Sequence, residues 1–283
     1  MINASAQYDP YNIWIVSPPG YSHSRCFDEL ALGLRDAFIA LGHAARIFRS
    51  AEAIPGNTIV LGANIIPGFT PPRDAIIFNL EQVSAESNWL SSGYVSLLRN
   101  HRVWDYSRNN IAALAKLGVT ATLCEVGYMP GLSRIAPTSH QDIDVLFVGS
   151  LNERRELILR QMSQRGIRVV YRFDLYGEER DALFARAKIV INIHYYQAKI
   201  LEIVRVSYLL ANRICVVSEP GEDRSLEIPL EGAIAFSPYT ELTDTCLRLL
   251  GDDGARLALR QKGFDIFAAR SQVEMLKAAL RAQ

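Results

Sequence analysis

The apolar positions of the chain fall into two alternating patterns. Short runs rich in β-branched residues, such as residues 13–16 and 189–193, alternate with stretches such as residues 27–41, whose apolar positions recur every three or four residues. The first pattern predicts strands that are buried on both faces, and the second predicts amphipathic helices. Parallel strands need a crossover helix between them, so the alternation predicts repeated βαβ units. We therefore expect an α/β fold of doubly wound, Rossmann-like parallel sheets.

The alternation starts twice, once near residue 13 and again near residue 144. Between these points, residues 129–142 are rich in Pro, Gly, Ser and Thr and show no periodicity, which is typical of a linker. The full length of 283 residues is also more than one ordinary core needs. We predict two domains, at residues 1–135 and 136–283, and this division allows the C-terminal helix to pack back on the first domain.

Composition narrows the class of protein. Hydrophobic residues make up 49% of the chain and charged residues 21%, which is typical of a globular protein in water. The formal net charge is zero, whereas a nucleic-acid binder normally carries a basic excess, so we expect no nucleic-acid partner. No apolar run approaches the ~20 residues of a membrane helix, and the N-terminal residues lack the pattern of a signal peptide.

Cysteine usage and glycine spacing exclude several cofactors. The four cysteines are widely spaced and form no CxxC pair, so we expect neither a zinc site nor a redox motif. Free thiols fit a reducing compartment, and we predict a cytoplasmic protein. The G-x-G-x-x-G fingerprint is absent, so we expect no nicotinamide cofactor. Gly20, in the loop after the first strand, is a position where a ligand can approach the backbone closely.

Residues 188–219 form the most informative stretch, with a predicted order of strand, loop, helix and strand. In open α/β sheets, ligands bind outside the carboxyl ends of the strands, and the N-terminus of the following helix offers free N–H groups to an anion. Glu202 and Arg205 lie three residues apart near that helix start, so both can reach one pocket. Arginine suits a phosphate, and a carboxylate suits sugar or ribose hydroxyls. The residues directly after the first strand all carry polar tips: His194, Tyr195 and Tyr196.

Three segments resemble bacterial glycosyltransferases of the two-domain GT-B kind, and in particular the CgeB-like group. They are DVLFVGSLNERR at residues 144–155, YGEERDALFARAKIVINIHYY at 176–196, and EIVRVSYLLANRICVVSE at 202–219. The resemblance covers roughly residues 140–270. It implies two facing doubly wound domains, with a nucleotide-sugar held mainly by the second domain, the acceptor bound by the first, and chemistry in the cleft between them. It also implies catalysis without a metal or other cofactor.

The resemblance assigns roles to several residues of the second domain. Gly149 and Ser150 match the tight turn that donor phosphates approach, and Arg154 or Arg155 matches a basic residue of the same loop. Arg205 matches the arginine that precedes the family's Phe-Glu-Ala-Met-Ala-x-Gly run.

The chain departs from that run: Tyr208 stands where the family has a glutamate, and the family's glycine falls near Asn212 or Arg213. Many relatives also place two glutamates eight positions apart, which would require a glutamate at Leu210. Ribose binding then falls to Glu202 or Glu219, or the donor binds differently. Tyr176, at the start of the second matching segment, joins the predicted donor-binding set.

Each of these residues also has a structural alternative. His194 either contacts a donor phosphate or hydrogen-bonds a carbonyl at the strand end. Arg205 either clamps a phosphate or pairs with Glu202 one turn away. Tyr195 and Tyr196 either stack on a base or sugar, or one of them packs beneath the loop.

Strands of the first domain also end in carboxylates, namely Glu81, Asp105 and Glu125. An inverting transferase needs a base to deprotonate the acceptor hydroxyl. We prefer Glu81 for this role because Gln82 beside it adds a second group that can bind a hydroxyl. The alternative for each carboxylate is a surface position or a helix cap.

Two further features point away from the strand ends. Asp142 and Asp144 form a DxD pattern, but they precede a strand and so lie at the wrong end of the sheet to hold a metal on donor phosphates. A basic face on the C-terminal helices predicts either a solvated surface or contact with an anionic membrane. Its residues are Arg256, Arg260, Lys262, Arg270, Lys277 and Arg281.

The sequence therefore predicts a glycosyltransferase of the hexosyltransferase type that moves a sugar from a nucleotide-diphosphate donor to an acceptor hydroxyl. The acceptor would be a glycan, a lipid-linked molecule or a peptide in surface glycoconjugate synthesis. Two alternatives keep the fold. One is a nucleotide-sugar epimerase or hydrolase, and the other is a binding protein without catalytic activity, which the tyrosine at position 208 motivates.

Overall fold

The computed structural model describes residues 10–54, 56–84, 87 and 89–282. The strands are β1 (Tyr11–Val16), β2 (Ala45–Ser50), β3 (Asn57–Leu61), β4 (Ile76–Asn79), β5 (Arg102–Asp105), β6 (Ala121–Leu123), β7 (Ile143–Val148), β8 (Val169–Arg172), β9 (Ala187–Asn192), β10 (Val216–Ser218) and β11 (Ala235–Phe236). The helices are α1 (Asp28–Ala40), α2 (Ser92–Arg99), α3 (Arg108–Lys116), α4 (Glu153–Gln164), α5 (Gly177–Arg186), α6 (Ile203–Ala211), α7 (Arg224–Glu227), α8 (Leu242–Leu250), α9 (Asp253–Ala268) and α10 (Gln272–Arg281).

The strands form two sheets in which every described pairing is parallel. The first sheet has the order β2-β1-β3-β4-β5-β6, and the second has the order β11-β10-β9-β7-β8. Counted from the first strand of each sheet, both contain the order 2-1-3-4-5. Such sheets reverse direction between strands 1 and 3, and ligands bind in the crevice at that switch point. The two switch points lie between β1 and β3 and between β7 and β9. The predicted α/β class with two doubly wound parallel sheets is confirmed.

Helices cover the strands because the strand side chains are apolar on both faces. In the first sheet, residues of β1, β3, β4 and β5 pack against α2 and α3, and the shared core includes Trp14, Val60, Ile77, Val103, Leu98 and Leu114. In the second sheet, residues of β7, β9 and β10 pack against α4 and α8 around Val145, Phe147, Ile189, Ile191, Ile158, Met162 and Leu249. These two cores hold the strand ends in fixed register.

Side-chain caps fix where several helices begin. Ser107 accepts a hydrogen bond from the backbone N–H of Asn110 at the start of α3, and Asn152 accepts one from Arg155 at the start of α4. Ser91 caps α2 in the same way through Tyr94. The sequence analysis did not predict α2, because its eight residues are too few to show a clear helical period.

The chain divides into two compact units that differ in extent from the predicted domains. The first unit comprises Met1–Gly131 and Ser271–Gln283, and the second comprises Leu132–Arg270. Linker residues before position 135 belong to the second unit because Asn212, which follows α6, accepts hydrogen bonds from the N–H groups of Arg134 and Ile135, both at 2.8 Å. The prediction of 1–135 and 136–283 placed these residues in the first domain.

The C-terminal helix α10 belongs to the first unit. Gln272 at its start is buried, and its side chain accepts a hydrogen bond from the N–H of Gly127 at 2.7 Å and donates to the carbonyl of Glu125 at 3.2 Å. Helix α10 also packs against α1. Within the described residues, no helix combines the length and the apolar character needed to cross a membrane.

Candidate functional site

The turn after β7 lies at the switch point of the second sheet and contacts the start of α6. Gly149, the first residue of this turn, has a φ of +153°. A Cβ at Gly149 would lie 3.0 Å from Nη2 of Arg205 and 3.5 Å from the ring of Phe147. A side chain at this position would therefore crowd the Arg205 guanidinium, which lies against the turn. The structure thus brings together two of the residues that the sequence analysis assigned to phosphate binding.

Arg205 is held by a neutral partner. Its Nη1 donates a hydrogen bond to Oδ1 of Asn192, the last residue of β9, at 3.0 Å. The Nδ2 atom of Asn192 donates to Oε2 of Glu202 at 2.8 Å and to the Ser218 hydroxyl at 3.1 Å. The Asn192 side chain thus bonds both Arg205 and Glu202 and takes the place of the direct pair that the structural alternative required. Among the described residues, the hydrogen bond of Arg205 goes to this neutral amide and not to a carboxylate.

His194 lies fully buried beside Glu202. Its Nδ1 atom is 3.1 Å from Oε2 of Glu202. Burial by itself lowers the pKa of His194, but the Glu202 carboxylate, with Glu219 and Glu227 farther away, raises that pKa above its usual value. Burial likewise favours a neutral Glu202, yet His194, Arg205 and Arg155 lower the Glu202 pKa to about 2. The Glu202 carboxylate therefore favours the protonated form of the His194 ring.

Glu219, directly after β10, collects donors from three residues. Arg154 binds it through both guanidinium nitrogens, with Nη1 at 2.6 Å from Oε2. The N–H of His194 donates to Oε2 at 3.3 Å, and Nζ of Lys199 lies 3.6 Å from Oε1. A carboxylate offers about four acceptor directions, and three hydrogen bonds and an ion pair to Lys199 already engage Glu219. Glu219 is therefore a poor candidate for binding ribose hydroxyls, and of the two alternatives the geometry favours Glu202.

Arg155 is buried, and its guanidinium ties the strand ends together. Its Nε and Nη2 atoms donate to the carbonyl of Ile193 at 2.9 and 2.6 Å, and Nη1 donates to the carbonyl of Ser150 at 2.8 Å. Burial, together with the nearby charge of Arg205, lowers the pKa of Arg155 to about 10. Because its donors go to backbone carbonyls, Arg155 positions the turn after β7 relative to β9. Both arginines lie in the first turn of α4, and Arg154 is the more exposed of the two.

The charged side chains at these strand ends include more cations than carboxylates. Arg154, Arg155, His194, Lys199 and Arg205 contribute cations, and Glu202 and Glu219 contribute carboxylates. We refer to these seven residues as the cationic cluster. It lies outside the carboxyl ends of β7, β9 and β10, where an anion can also meet the N-termini of α4 and α6.

The predicted aromatic residues border the cationic cluster. The ring of Tyr195 is exposed and lies 5.1 Å from Cζ of Arg155 and 4.9 Å from the ring of Tyr196. Its carbonyl accepts a hydrogen bond from Nδ2 of Asn152 at 3.2 Å. Tyr176 directly precedes α5, beyond the end of β8. An exposed ring on an arginine offers a surface on which a base or sugar can stack.

Tyr208 does not join the cationic cluster. Its side chain is buried, and its hydroxyl donates to Oδ2 of Asp181 on α5 at 2.7 Å and accepts from Nε of Arg134 at 2.8 Å. The guanidinium of Arg180 lies 4.7 Å from the ring centroid. Burial and the Asp181 carboxylate raise the Tyr208 pKa well above its usual value. The side chain at the position of the family's glutamate therefore packs between α6 and α5.

Glu81 follows β4 in the first unit. Its Oε1 accepts a hydrogen bond from Nδ2 of Asn64, in the segment after β3, at 3.0 Å. Burial raises the pKa of Glu81 to about 7, and the neutral amide of Asn64 offsets only part of this shift. A carboxylate with this pKa accepts a proton efficiently near neutral pH.

Asp105, the last residue of β5, is fully buried. It accepts hydrogen bonds from Asn79 at 2.6 Å, from the N–H of Ser107 at 2.8 Å and from Asn110 at 3.2 Å. Burial raises its pKa to about 7 despite these donors. Because Asp105 joins β4, β5 and α3 beneath the surface, its role is structural, and Glu81 is the better candidate base.

Gly20 lies in the first unit, in the loop after β1. Its φ is +76°, and no heavy atom lies within 4 Å of a Cβ built on it. The backbone at this switch point is therefore open to a ligand.

The sequence analysis missed three residues of these sites: Asn64, Asn192 and Lys199. Asn64 meets Glu81 only because β3 and β4 are neighbours, and neither residue type nor spacing signals that contact. Asn192 reads as the polar end of an apolar strand, a position that the strand-end rule would have included. Lys199 lies between that strand and the next helix, where a cation can reach an anion at the helix start.

The two aspartates of the DxD pattern pair with basic side chains. Asp142 binds Arg186, and Asp144 binds Arg168 and Lys188, so both carboxylates of the DxD pattern are engaged in ion pairs. Across the described part of the chain, no group of three or more His, Cys, Asp or Glu side chains has the geometry to hold a metal ion.

The predicted basic face on the C-terminal helices is smaller than the sequence suggested. Arg256 is buried and donates to the carbonyls of Leu249 and Leu250, and Arg260 donates to the carbonyl of Arg213. These two arginines therefore hold α9 against the end of α8 and the segment after α6. Lys277 on α10 pairs with Glu274 at 2.7 Å, so part of the remaining charge is also matched.

Sequence comparisons connect the chain to proteins without an assigned function. A scan against protein-family models finds no match. Uncharacterized protein L140 of Acanthamoeba polyphaga mimivirus is 30% identical over 190 residues, which cover 62% of this chain and 59% of that protein. Uncharacterized protein L138 of the same virus is 29% identical over 113 residues, covering 39% of this chain and 13% of that protein. The matches thus span less than two thirds of the length of these relatives.

Solved structures show the fold more clearly. HepE from Anabaena, in complex with UDP-glucose, aligns with a TM-score of 0.60 and 12% identity over 97% of this chain and 99% of that chain. An alpha-glucosyltransferase in complex with UDP and a 13-mer DNA aligns with a TM-score of 0.61 and 8% identity over 97% and 99%. WaaG, a glycosyltransferase involved in lipopolysaccharide biosynthesis, gives 0.58 and 13% over 95% and 98%.

Identities of this size indicate a shared fold and leave substrate and activity open. The order of parallel strands in both sheets agrees with that assignment. The chain has the GT-B fold of these glycosyltransferases.

Proposed function

We propose that the protein is a glycosyltransferase that takes a sugar from a nucleotide-diphosphate donor bound by the second unit. One observation carries the proposal. At the β7–β9 switch point, Gly149 leaves space for the Arg205 guanidinium against the turn, and the surrounding cationic cluster holds more cations than carboxylates. A diphosphate supplies the negative charge that such a cluster lacks, and a crevice of this type is where α/β sheets bind their ligands.

The donor would be held by several kinds of contact. The backbone of Gly149 and Ser150, the N-terminus of α6 and the side chain of Arg205 bind phosphate oxygens. Tyr195 and Tyr196 supply aromatic surface for the base or sugar, and Tyr176, which precedes α5, is the third aromatic residue of the proposed donor site.

Glu202 is the proposed ribose- or sugar-binding carboxylate. Its Oε2 is engaged by Asn192 and by the His194 ring, whereas the contact to its Oε1 is a long one of 3.4 Å from Arg155. An oxygen with one weak donor retains capacity for a hydroxyl group. The pKa of about 2 keeps Glu202 ionised, and therefore able to accept such hydrogen bonds, at any physiological pH.

Catalysis would be electrostatic on the donor side and would use a base on the acceptor side. Arg154, Arg205 and the His194 imidazolium stabilise the charge that grows on the leaving diphosphate. Glu81, with its pKa near 7, accepts the proton of the acceptor hydroxyl. No step in this scheme requires a metal ion.

The finer parts of the proposal rest on the resemblance of residues 140–270 to the CgeB-like group. They are transfer of a hexose, a role in surface glycoconjugate synthesis within the cytoplasm, and an acceptor that is a glycan, a lipid-linked molecule or a peptide. If the acceptor is lipid-linked, the exposed basic residues of the C-terminal helices provide contact with an anionic membrane.

A ligand screen tests the central claim. The purified protein is melted in the presence of UDP, GDP, dTDP, CMP and the matching sugar nucleotides, because a ligand that binds only the native state raises the melting temperature. We expect one nucleoside diphosphate and its sugar conjugate to raise it by several degrees. Product analysis of that sugar nucleotide, with and without acceptor glycans, then separates transfer from hydrolysis or epimerisation. A protein that none of these nucleotides stabilises is not a glycosyltransferase of this kind.

A further inference from the structure

The main chain of Glu81 is held by the side chains of two asparagines. Nδ2 of Asn79, the last residue of β4, donates a hydrogen bond to the Glu81 carbonyl at 3.0 Å, and Nδ2 of Asn110, near the start of α3, donates to the same carbonyl at 2.9 Å. Asn110 also accepts a hydrogen bond from the N–H of Val83 at 2.8 Å. Residues 81–83 lie outside the strands and helices, so these side-chain amides fix their position.

Asp105 sets the direction in which both amides point. Each Nδ2 group has two hydrogens, and the second hydrogen of each goes to the Asp105 carboxylate, from Asn79 to Oδ2 at 2.6 Å and from Asn110 to Oδ1 at 3.2 Å. The hydroxyl of Tyr94 donates to Oδ1 of Asn79 at 3.0 Å, which favours the same orientation of that amide. The amides therefore reach the Glu81 carbonyl because an ionised carboxylate accepts their other hydrogens.

The charge on Asp105 is costly, since the carboxylate is fully buried. In the described part of the chain, the donors that reach it are the two amides and the backbone N–H groups of Tyr106 and Ser107, which are all neutral. Burial outweighs these donors and raises the Asp105 pKa to about 7. An uncharged side chain of the same shape would avoid this cost, but it could not accept hydrogen bonds on both sides.

A proton on Asp105 would disturb this arrangement. A protonated carboxyl group must donate one hydrogen bond, and the groups around it are themselves donors. The Oδ1 atom of Asn79 can accept that hydrogen if the amide turns over. The turned amide then presents its oxygen to the Glu81 carbonyl across the present contact of 3.0 Å, where two acceptors repel each other. Protonation of Asp105 therefore withdraws a donor from the Glu81 carbonyl and drives that carbonyl away.

We propose that Asp105 is a positioning residue for Glu81. Its ionised carboxylate holds both amides against the Glu81 carbonyl and so keeps the Glu81 side chain in place for proton transfer, whereas a protonated Asp105 releases it. The inference rests on the proposed function, in which Glu81 is the base, and adds a second carboxyl group on which turnover depends. Because Asp105 is buried, it acts through Glu81 and not on the substrate.

The titratable groups around Asp105 come from three elements. Glu81 follows β4, Tyr94 lies on α2, and Cys124 follows β6, with its N–H bonded to the Asp105 carbonyl at 2.8 Å. Burial raises the pKa of the Tyr94 hydroxyl and of the Cys124 thiol, so both groups stay protonated. Between about pH 5.5 and 8.5, protons gained by these groups therefore go to Glu81 and Asp105.

The first test is the pH dependence of turnover. One essential ionisation gives a fall in kcat/KM of about tenfold per pH unit on the acid side, and two give up to about a hundredfold. We expect the acid limb of the wild type to be steeper than about tenfold per unit. Asp105→Asn always turns an N–H group toward the neighbouring donors, so it should lower kcat/KM at about pH 8.5 by about 10- to 10²-fold and leave an acid limb of about tenfold per unit.

A double variant shows whether Asp105 acts through Glu81. In Glu81→Gln there is no base to position, so the addition of Asp105→Asn should change kcat/KM by less than about twofold. Val119→Ala is the control for lost stability, because Val119 is buried in the core of the first sheet and precedes β6, at the opposite end of the strands. This control should melt at a lower temperature and keep the wild-type acid limb.

Backbone amide resonances test the geometry without any turnover. The N–H of Ser107 donates to Oδ1 of Asp105 at 2.8 Å, so its proton shift reports the charge on Asp105, and the N–H of Val83 reports the Asn110 amide. In Glu81→Gln, both resonances should move together with a midpoint near pH 7. Both should stay fixed when Asp105→Asn is added, and the measurement on Glu81→Gln does not depend on the folding of that double variant.

Two results overturn the inference and leave the proposed function standing. In the first, the Ser107 resonance moves with pH and the Val83 resonance does not, because Asp105 then ionises without moving residues 81–83. In the second, Asp105→Asn lowers kcat/KM by the same factor with and without Glu81. A wild-type chain that neither transfers nor hydrolyses any sugar nucleotide overturns the proposed function, and the two amide resonances then still decide whether Asp105 positions this segment.

Discussion

The two sheets of the molecule share a strand order and differ in what stands at their switch points. In the second sheet, five cationic side chains and two carboxylates meet outside β7, β9 and β10. In the first sheet, the segments after β3 and β4 bring Glu81 against the neutral amide of Asn64. One topology therefore carries a cluster of charged side chains in one unit and, in the other, a carboxyl group beside an uncharged amide.

The pKa values express this difference. Burial raises the pKa of any carboxyl group, and in the second unit His194, Arg205 and Arg155 outweigh burial and lower the pKa of Glu202 to about 2. In the first unit the partner of Glu81 is an uncharged amide, so burial prevails and the pKa rises to about 7. The strand order determines where a ligand can bind, and the neighbouring charges determine whether a carboxylate there serves as an ionised anchor or as a base.

Removing Arg205 takes a cation from the cluster in the second unit and should have the largest effect on turnover. For Arg205→Ala we expect turnover of the sugar nucleotide, by transfer or hydrolysis, to fall by about 10²- to 10³-fold, the usual loss when a donor to transition-state charge is deleted. Circular dichroism and the melting temperature should stay close to wild type, because Asn192 keeps its bonds to Glu202 and Ser218.

Arg168→Ala is the control for that variant. Arg168 precedes β8 at the other edge of the same sheet, where it binds Asp144, and it is largely exposed. Turnover in this variant should remain within about twofold of wild type, since exposed ion pairs contribute little. Normal turnover in Arg205→Ala would remove Arg205 from the mechanism and leave the positive excess without a catalytic purpose.

Replacing Glu81 tests the first unit. The base must be ionised to accept a proton, so kcat/KM of the wild type should rise with pH up to about 7 and level off above it. Glu81→Gln should lower kcat/KM by about 10²-fold or more and abolish the rise. Rates measured between pH 5.5 and 8.5 give both quantities.

Glu125→Gln provides the comparison, because Glu125 also follows a strand of the first sheet. That variant should keep the wild-type pH profile. If instead Glu125→Gln loses the rise and Glu81→Gln keeps it, the base is Glu125 and the raised pKa of Glu81 has no part in the reaction.

The sequence was sufficient for the features that depend on local pattern. The apolar run at residues 189–193 overlaps β9, and Gly149 and His194 lie at strand ends where parallel sheets bind ligands. The contacts that set the chemistry join residues far apart in the chain, such as Asn64 with Glu81 and Arg154 with Glu219. Spacing cannot reveal these, because strand order decides which ends are neighbours.

Side-chain direction limited the sequence analysis in a second way. Arg154 and Arg155 are adjacent, yet one binds a carboxylate while partly exposed and the other is buried against backbone carbonyls. The sequence analysis allowed the C-terminal helix to pack back on the first domain, but it could not identify the hydrogen bonds between Gln272 and residues 125–128 that hold α10 there.

A substitution at Tyr208 should have the smallest effect of these variants. It tests whether the role of this residue follows from the family resemblance or from the hydrogen bonds of its hydroxyl. Alignment places Tyr208 where the family binds ribose, whereas the structure binds its hydroxyl to Asp181 and Arg134. Tyr208→Phe should therefore raise the KM for the donor by less than about twofold. It should lower the free energy of unfolding by about 1 kcal/mol, because Asp181 keeps its contact with Arg180 at 2.9 Å. A tenfold rise in KM at unchanged stability, measured by denaturant unfolding, would instead put the hydroxyl on the donor. The packing of α6 against α5 would then have to differ when the donor is bound.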